Sequence, residues 1–130
     1  MNKTIEIIGC ASDLTLMMFA GFVHYPLMAK QSTIWNKNLF YMLALFSWIT
    51  ITEGIFSIIN TNRYDCNSCI IAFVLFWVGI FITLPIIYKH HLLASSWSDD
   101  IYTTLCQLNL MRILVWGCRL VLLIVNIKDC

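Results

Sequence analysis

The stretch QLNLMRILVWGCRL, residues 107–120, carries Asn109, Arg112, Trp116 and Arg119 at i, i+3, i+7 and i+10. At about 100° per residue, these four side chains fall within an arc of about 80° on one helix face. Guanidinium and amide groups aligned in this way hold carboxylates, other anions or carbonyl groups. The flanking residues are apolar enough for a membrane-spanning helix, where an arginine at the bilayer centre costs from ~3 to ~15 kcal/mol. The stripe must therefore face protein, and other helices must compensate it.

Candidates for that compensation recur along the chain. Glu53 has Thr50, Ser57 and Asn60 on its own helix face, at i−3, i+4 and i+7, while Asp13 and His24 lie at either end of an earlier apolar stretch. Counting inward from the helix ends at ~1.5 Å per residue places His24, Asn109 and Arg112 roughly 6 to 10 Å deep, and Glu53, Arg119 and Asp13 roughly 21 to 24 Å deep. Two tiers result. In the deeper one Glu53 and Arg119 form the expected ion pair, with Asp13 as a third member; a structural role, fixing how two helices align, fits such a pair. In the shallower one Arg112 meets no carboxylate, only Asn109, His24 and the Tyr25 hydroxyl. That is an arrangement for holding an anionic or carbonyl-bearing group. Snorkelling of Arg112 to the interface is the structural alternative.

Four helices must position these residues. Of 130 residues, 60% are apolar and 12% charged, against about 45–50% and 25% in soluble domains, so the chain reads as an integral membrane protein. Stretches at 11–29, 39–59, 70–88 and 105–127 each approach the roughly 20 residues that one crossing requires. Short polar tracts, KQSTIWNKN and NTNRYDCNS, join the first three, and the resulting up-down-up-down bundle is a single domain over 1–130. The third connection, KHHLLASSWSDDIYTT, reads as a longer loop that covers one mouth of the bundle, with Ser98, Asp99 or Asp100 capping the last helix. Pro26 is expected to bend the first helix beside His24 and free a carbonyl near residue 22.

No cleavable leader is read in MNKTIEIIGC, so the first helix is expected to be retained. Both termini then share one side. Lysine and arginine divide evenly, with Lys3, Arg63 and Lys128 against Lys30, Lys37 and Lys89; cytoplasmic termini are expected because short chains without a leader commonly insert that way. A net charge of +1 gives no reason to expect nucleic acid.

Cofactor chemistry has two candidates. Cys66 and Cys69, in YDCNSC at the mouth of the third helix, have the spacing of a redox pair, or are two small residues capping a helix. One such pair supplies too few ligands for structural zinc, and no metal is expected. Haem held by His24 with His90 or His91 is disfavoured because the latter two follow Lys89 at the helix end, too near the surface to oppose His24.

HYPL at 24–27, Glu53, Trp77 with Pro85, and N-x-x-R-x-x-x-W-x-x-R at 109–119 resemble, in order and spacing over nearly the whole chain, a family of small, largely uncharacterised bacterial integral membrane proteins. Leu110, Ile113 and Gly117 depart from the aromatic and threonine residues of the family pattern, and His90 and His91 lie further beyond Pro85 than its histidine. The resemblance implies four helices and a bacterial inner membrane; it implies no activity.

Three functions fit the residues. The first is binding or modification of an amphiphilic small molecule, such as an isoprenoid, quinone or other lipid-like compound. There Asn109, Arg112, Trp116 and Tyr25 hold the ligand and His24 and Glu53 serve as acid and base. The second is a small proton- or cation-coupled transporter or channel component, which at this size would form a homo-oligomer. The third is a structural subunit of a membrane complex, its polar residues joining helices.

Overall fold

Four long helices account for nearly all of the chain that the computed structural model describes, residues 2–26, 35–63 and 67–125. Helix α1 spans Asn2–Phe19 and continues through a π-helical turn, Ala20–His24; α2 spans Trp35–Arg63, α3 Asn67–Ser95 and α4 Asp99–Val125. All four are long and apolar enough to cross a membrane. Asp13 meets Thr50 and Glu6 meets Asn60, so α1 and α2 are antiparallel. Likewise Arg112 meets Thr83 and Arg119 meets Ala72 across α3 and α4. Each helix packs on the next and α4 returns to α1: an all-α, up-down-up-down four-helix bundle.

The helices run beyond the sequence expectation, α2 also at both ends (35–63 against 39–59). At several of these ends the reason is that polar residues turn inward. Helix α1 begins at Asn2 rather than near residue 11, and α3 runs to Ser95 rather than ending near 88, while the third connection shrinks from sixteen residues to Ser96–Ser98. Hydropathy stops at the first polar residues, but a helix in a bundle continues if those residues turn inward. Lys3, Glu6, Asn60 and His90 are all buried. The short third connection cannot cover the bundle mouth. It caps α4 instead, with the Ser98 carbonyl accepting from Tyr102 N–H at 3.0 Å and Asp99 and Asp100 occupying the dipole-favoured first turn.

Burial follows an alternation of three and four residues, interrupted after the π turn, where His24 and Tyr25 are both buried. The buried positions are 3, 6, 10, 13, 17, 20 and 24 in α1; 50, 53, 57 and 60 in α2; 69, 72, 76, 79, 83, 86, 90 and 93 in α3; and 105, 109, 112, 116, 119 and 123 in α4. This is the seam spacing of a left-handed coiled bundle. Its content is inverted: thirteen described buried residues are polar or charged against twelve apolar ones, whereas Phe22, Trp48, Phe81 and Val125 are each more than 60% exposed. Lipid supplies no hydrophobic drive between helices, so close packing and polar contacts hold such a bundle together.

The π turn lies one residue before Tyr25 and Pro26. A proline lacks the N–H that would bond the carbonyl four residues back and crowds that carbonyl. The turn before it widens to i→i+5 bonding, with Tyr25 N–H donating to the Ala20 carbonyl. As expected from Pro26, α1 is least regular where His24 sits.

Candidate functional site

The deep cluster is built around Arg119. Its Nη1 donates to Glu53 Oε1, its Nη2 to Glu6 Oε1 at 2.7 Å, and its Nε to the Ala72 carbonyl at 3.2 Å. The guanidinium also lies over the rings of Phe76 and Trp116, at 5.3 and 5.6 Å from their centroids. Every face of this fully buried cation is thus engaged. The second oxygens of its partners are held as well: Glu53 Oε2 accepts from Trp116 Nε1 at 3.3 Å, and Glu6 Oε2 from Asn60 Nδ2 at 2.5 Å. Carboxylates from α1 and α2, an indole and guanidinium from α4 and a carbonyl from α3 meet at one level.

Asp13 does not join the ion pair with Arg119. Glu6 takes that place, and Asp13 Oδ2 accepts from Thr50 Oγ1 at 3.1 Å instead. The reason is the earlier start of α1: Glu6, two helical turns before Asp13 on the same seam, is already inside the bundle. Glu6 is the residue that sequence reasoning missed. The signal was available, since Lys3, Glu6, Cys10 and Asp13 fall at intervals of three, four and three.

Trp116 separates the two tiers. Its ring lies so close to Gly79 that a Cβ at that position would overlap the indole, and its edge contacts Phe76, with ring centroids 5.8 Å apart. Only glycine admits the indole between α3 and α4 here. With its N–H turned to Glu53, Trp116 belongs to the deep cluster and does not line the shallow cavity; Glu53, both oxygens committed, is likewise remote from that cavity.

The shallow tier is built differently. Arg112 Nη2 donates to Asn109 Oδ1 at 2.7 Å, Nη1 lies 3.4 Å from Thr83 Oγ1, and the cation sits 5.0 Å from the centroid of Phe46. Thr83 in turn donates to the Gly79 carbonyl at 2.8 Å, leaving its lone pairs for Arg112. Asn109 Nδ2 donates to the Met17 carbonyl at 3.0 Å, just ahead of the π turn, and Gly21 allows that approach because a Cβ there would lie 2.7 Å from Nδ2. Among the described residues no carboxylate pairs with Arg112, and its Nε has no hydrogen-bond partner. Arg112 is only 6% exposed, so it does not snorkel.

Beside this cation is a cavity of about 50 Å³, lined among the described residues by His24, Tyr25, Thr83, His90 and Arg112 with apolar Leu16, Met17, Ala20, Phe46, Ile86 and Ile87. Asn109 positions Arg112 from behind. His90, expected near the surface, is buried because α3 continues past it; its Nδ1 lies 3.1 Å from the Ile86 carbonyl, which fixes the proton on that nitrogen, and its ring stacks 5.3 Å from Tyr25. His91 is exposed. The structure thus brings His24, Tyr25 and Arg112 together and adds Thr83, Phe46 and His90 to them.

Cys69 is buried near the start of α3, whereas Cys66 lies outside the described residues. Among the described residues there is no group of three or more His, Cys, Asp or Glu side chains that could hold a metal ion.

Compared with protein-family models, with curated proteins and with solved structures, the chain gives no match. The fold and site alone define its class: a four-helix bundle of candidate membrane-spanning helices with two buried arginines, one saturated and one open.

Proposed function

We propose that this protein binds, or acts on, an amphiphilic small molecule at the shallow tier, with the polar head of the ligand beside Arg112 and its apolar part among the helices. The observation that carries this reading is the state of Arg112: buried, lining a cavity, with no carboxylate in salt-bridge contact and Nε unpartnered among the described residues. A buried cation left in that condition is costly, and a ligand bearing acceptors offsets the cost. His24 and His90 on the same cavity are suited to moving a proton on the bound head group. The resemblance to small bacterial membrane proteins supports an inner-membrane setting.

Native mass spectrometry of the purified chain tests the proposal. A copurifying amphiphile is expected on the wild type and lost from Arg112→Ala with folding retained. If the wild type, prepared directly from membranes, carries no small molecule, the reading fails.

Proton- or cation-coupled transport is the second reading, and Asp13 favours it. Its Oδ1 is buried with no donor on it among the described residues, and its carboxyl lies beside that of Glu53, in a cluster where Glu6 and Glu53 already satisfy Arg119. This reading predicts pH-dependent flux in proteoliposomes that Asp13→Asn and His24→Ala abolish; unchanged flux removes it.

A further inference from the structure

The open arginine also indicates what kind of head group it takes, an inference that rests on the reading just proposed. In the deep tier the bundle meets a guanidinium with two carboxylates of its own. In the shallow tier the same cation has only neutral hydrogen-bond partners, Asn109 and Thr83, and the ring of Phe46, while Asp13, the nearer carboxylate of α1, is engaged with Thr50 and forms no salt bridge to it. A neutral carbonyl or hydroxyl would hydrogen-bond the guanidinium but leave its charge without a salt-bridge partner in a low-dielectric setting. An anion satisfies both, because charge-assisted hydrogen bonds are the stronger kind and a paired charge avoids most of the desolvation cost.

A cavity of about 50 Å³ admits a few water-sized groups, enough for a planar carboxylate. A carboxylate also matches the planar guanidinium edge. The chain attached to it has a way out: the lining reaches the outer surface at Ile87, 42% exposed, and at half-buried Leu16 and Phe46. These residues are apolar and come from α3, α1 and α2. We propose that the shallow cavity is a binding site for the carboxylate of a fatty-acid-like amphiphile, held by the Arg112 guanidinium that lines it, with its chain leaving past Leu16, Phe46 and Ile87 into the bilayer.

Four probes with one tail and different heads test this: oleate, methyl oleate, oleyl alcohol and oleyl phosphate, each offered to the delipidated full chain in detergent, with retained ligand read by native mass spectrometry. Oleate is expected to be retained selectively. Arg112→Gln should weaken its retention by about thirty-fold or more, as for truncating one partner of a buried charge pair. Ile87→Trp, which narrows the exit and leaves the guanidinium in place, should weaken it as well and keeps the test valid if Arg112→Gln fails to fold. Oleate retained by folded Arg112→Gln at the wild-type level, or by Ile87→Trp, overturns the inference. Methyl oleate or oleyl alcohol retained as well as oleate, or oleyl phosphate preferred, overturns the carboxylate assignment while the amphiphile reading stands. Retention of no probe by a protein that also copurifies with no small molecule overturns both.

Discussion

Arg112 and Arg119 lie two helical turns apart on one face of α4, yet the bundle treats them oppositely. Arg119 is surrounded by residues from all four helices, with two carboxylates, a carbonyl and two aromatic rings. Arg112 is held in position by Asn109 and Thr83 and left without a salt-bridge partner among the described residues. A cation that only joins helices has every reason to be fully satisfied. One kept buried and incomplete makes sense where something else completes it.

Replacing each arginine in turn tests this contrast most severely. Arg119→Met leaves Glu6 and Glu53 buried without a cation and should cost about 3–5 kcal/mol in detergent unfolding. Arg112→Met strands no charge and should cost only about 1 kcal/mol, the scale of a lost hydrogen bond. Equal losses at the two sites would erase the distinction. Gly79→Ala forces a methyl group into the Trp116 ring and should cost about 1–3 kcal/mol by overpacking, disturbing the deep cluster through the indole that donates to Glu53. Smallest is Thr50→Val, which removes the hydroxyl from Asp13 Oδ2. Its cost should be about 1 kcal/mol, with the Arg119 pairs intact by double-mutant cycle against Glu6→Gln; strong coupling between those two positions would join Asp13 to the ion-pair network after all.

The four helices and the α4 stripe were legible because a 3.6-residue period and apolar length leave direct marks in a sequence. The meeting of Glu53 with Arg119 followed from counting depth along antiparallel helices. Glu6 was not legible by hydropathy, since a window that scores apolar content ends α1 where its inward polar seam begins. The three-and-four spacing of Lys3, Glu6, Cys10 and Asp13 carries the information that the window discards. His90 was misplaced for the same reason at the other end of α3. Thr83 and Phe46 left no mark, because their roles depend on which residue of a neighbouring helix lies opposite, and a single sequence does not encode rotation between helices.

The π turn at Ala20–His24 has a consequence for the length of the chain. A turn bonded i→i+5 holds one residue more than the α-helical path over the same height, so it can give up a residue with little change in the phase of Tyr25 beyond it. Elsewhere in these helices, loss of one residue would rotate the rest of the helix by about 100° and carry buried seam residues out towards lipid. Between Ala20 and Val23 the same deletion would straighten the helix and leave Tyr25 facing the bundle. Loss of one residue here is expected to cost less stability than loss of one elsewhere in the described helices.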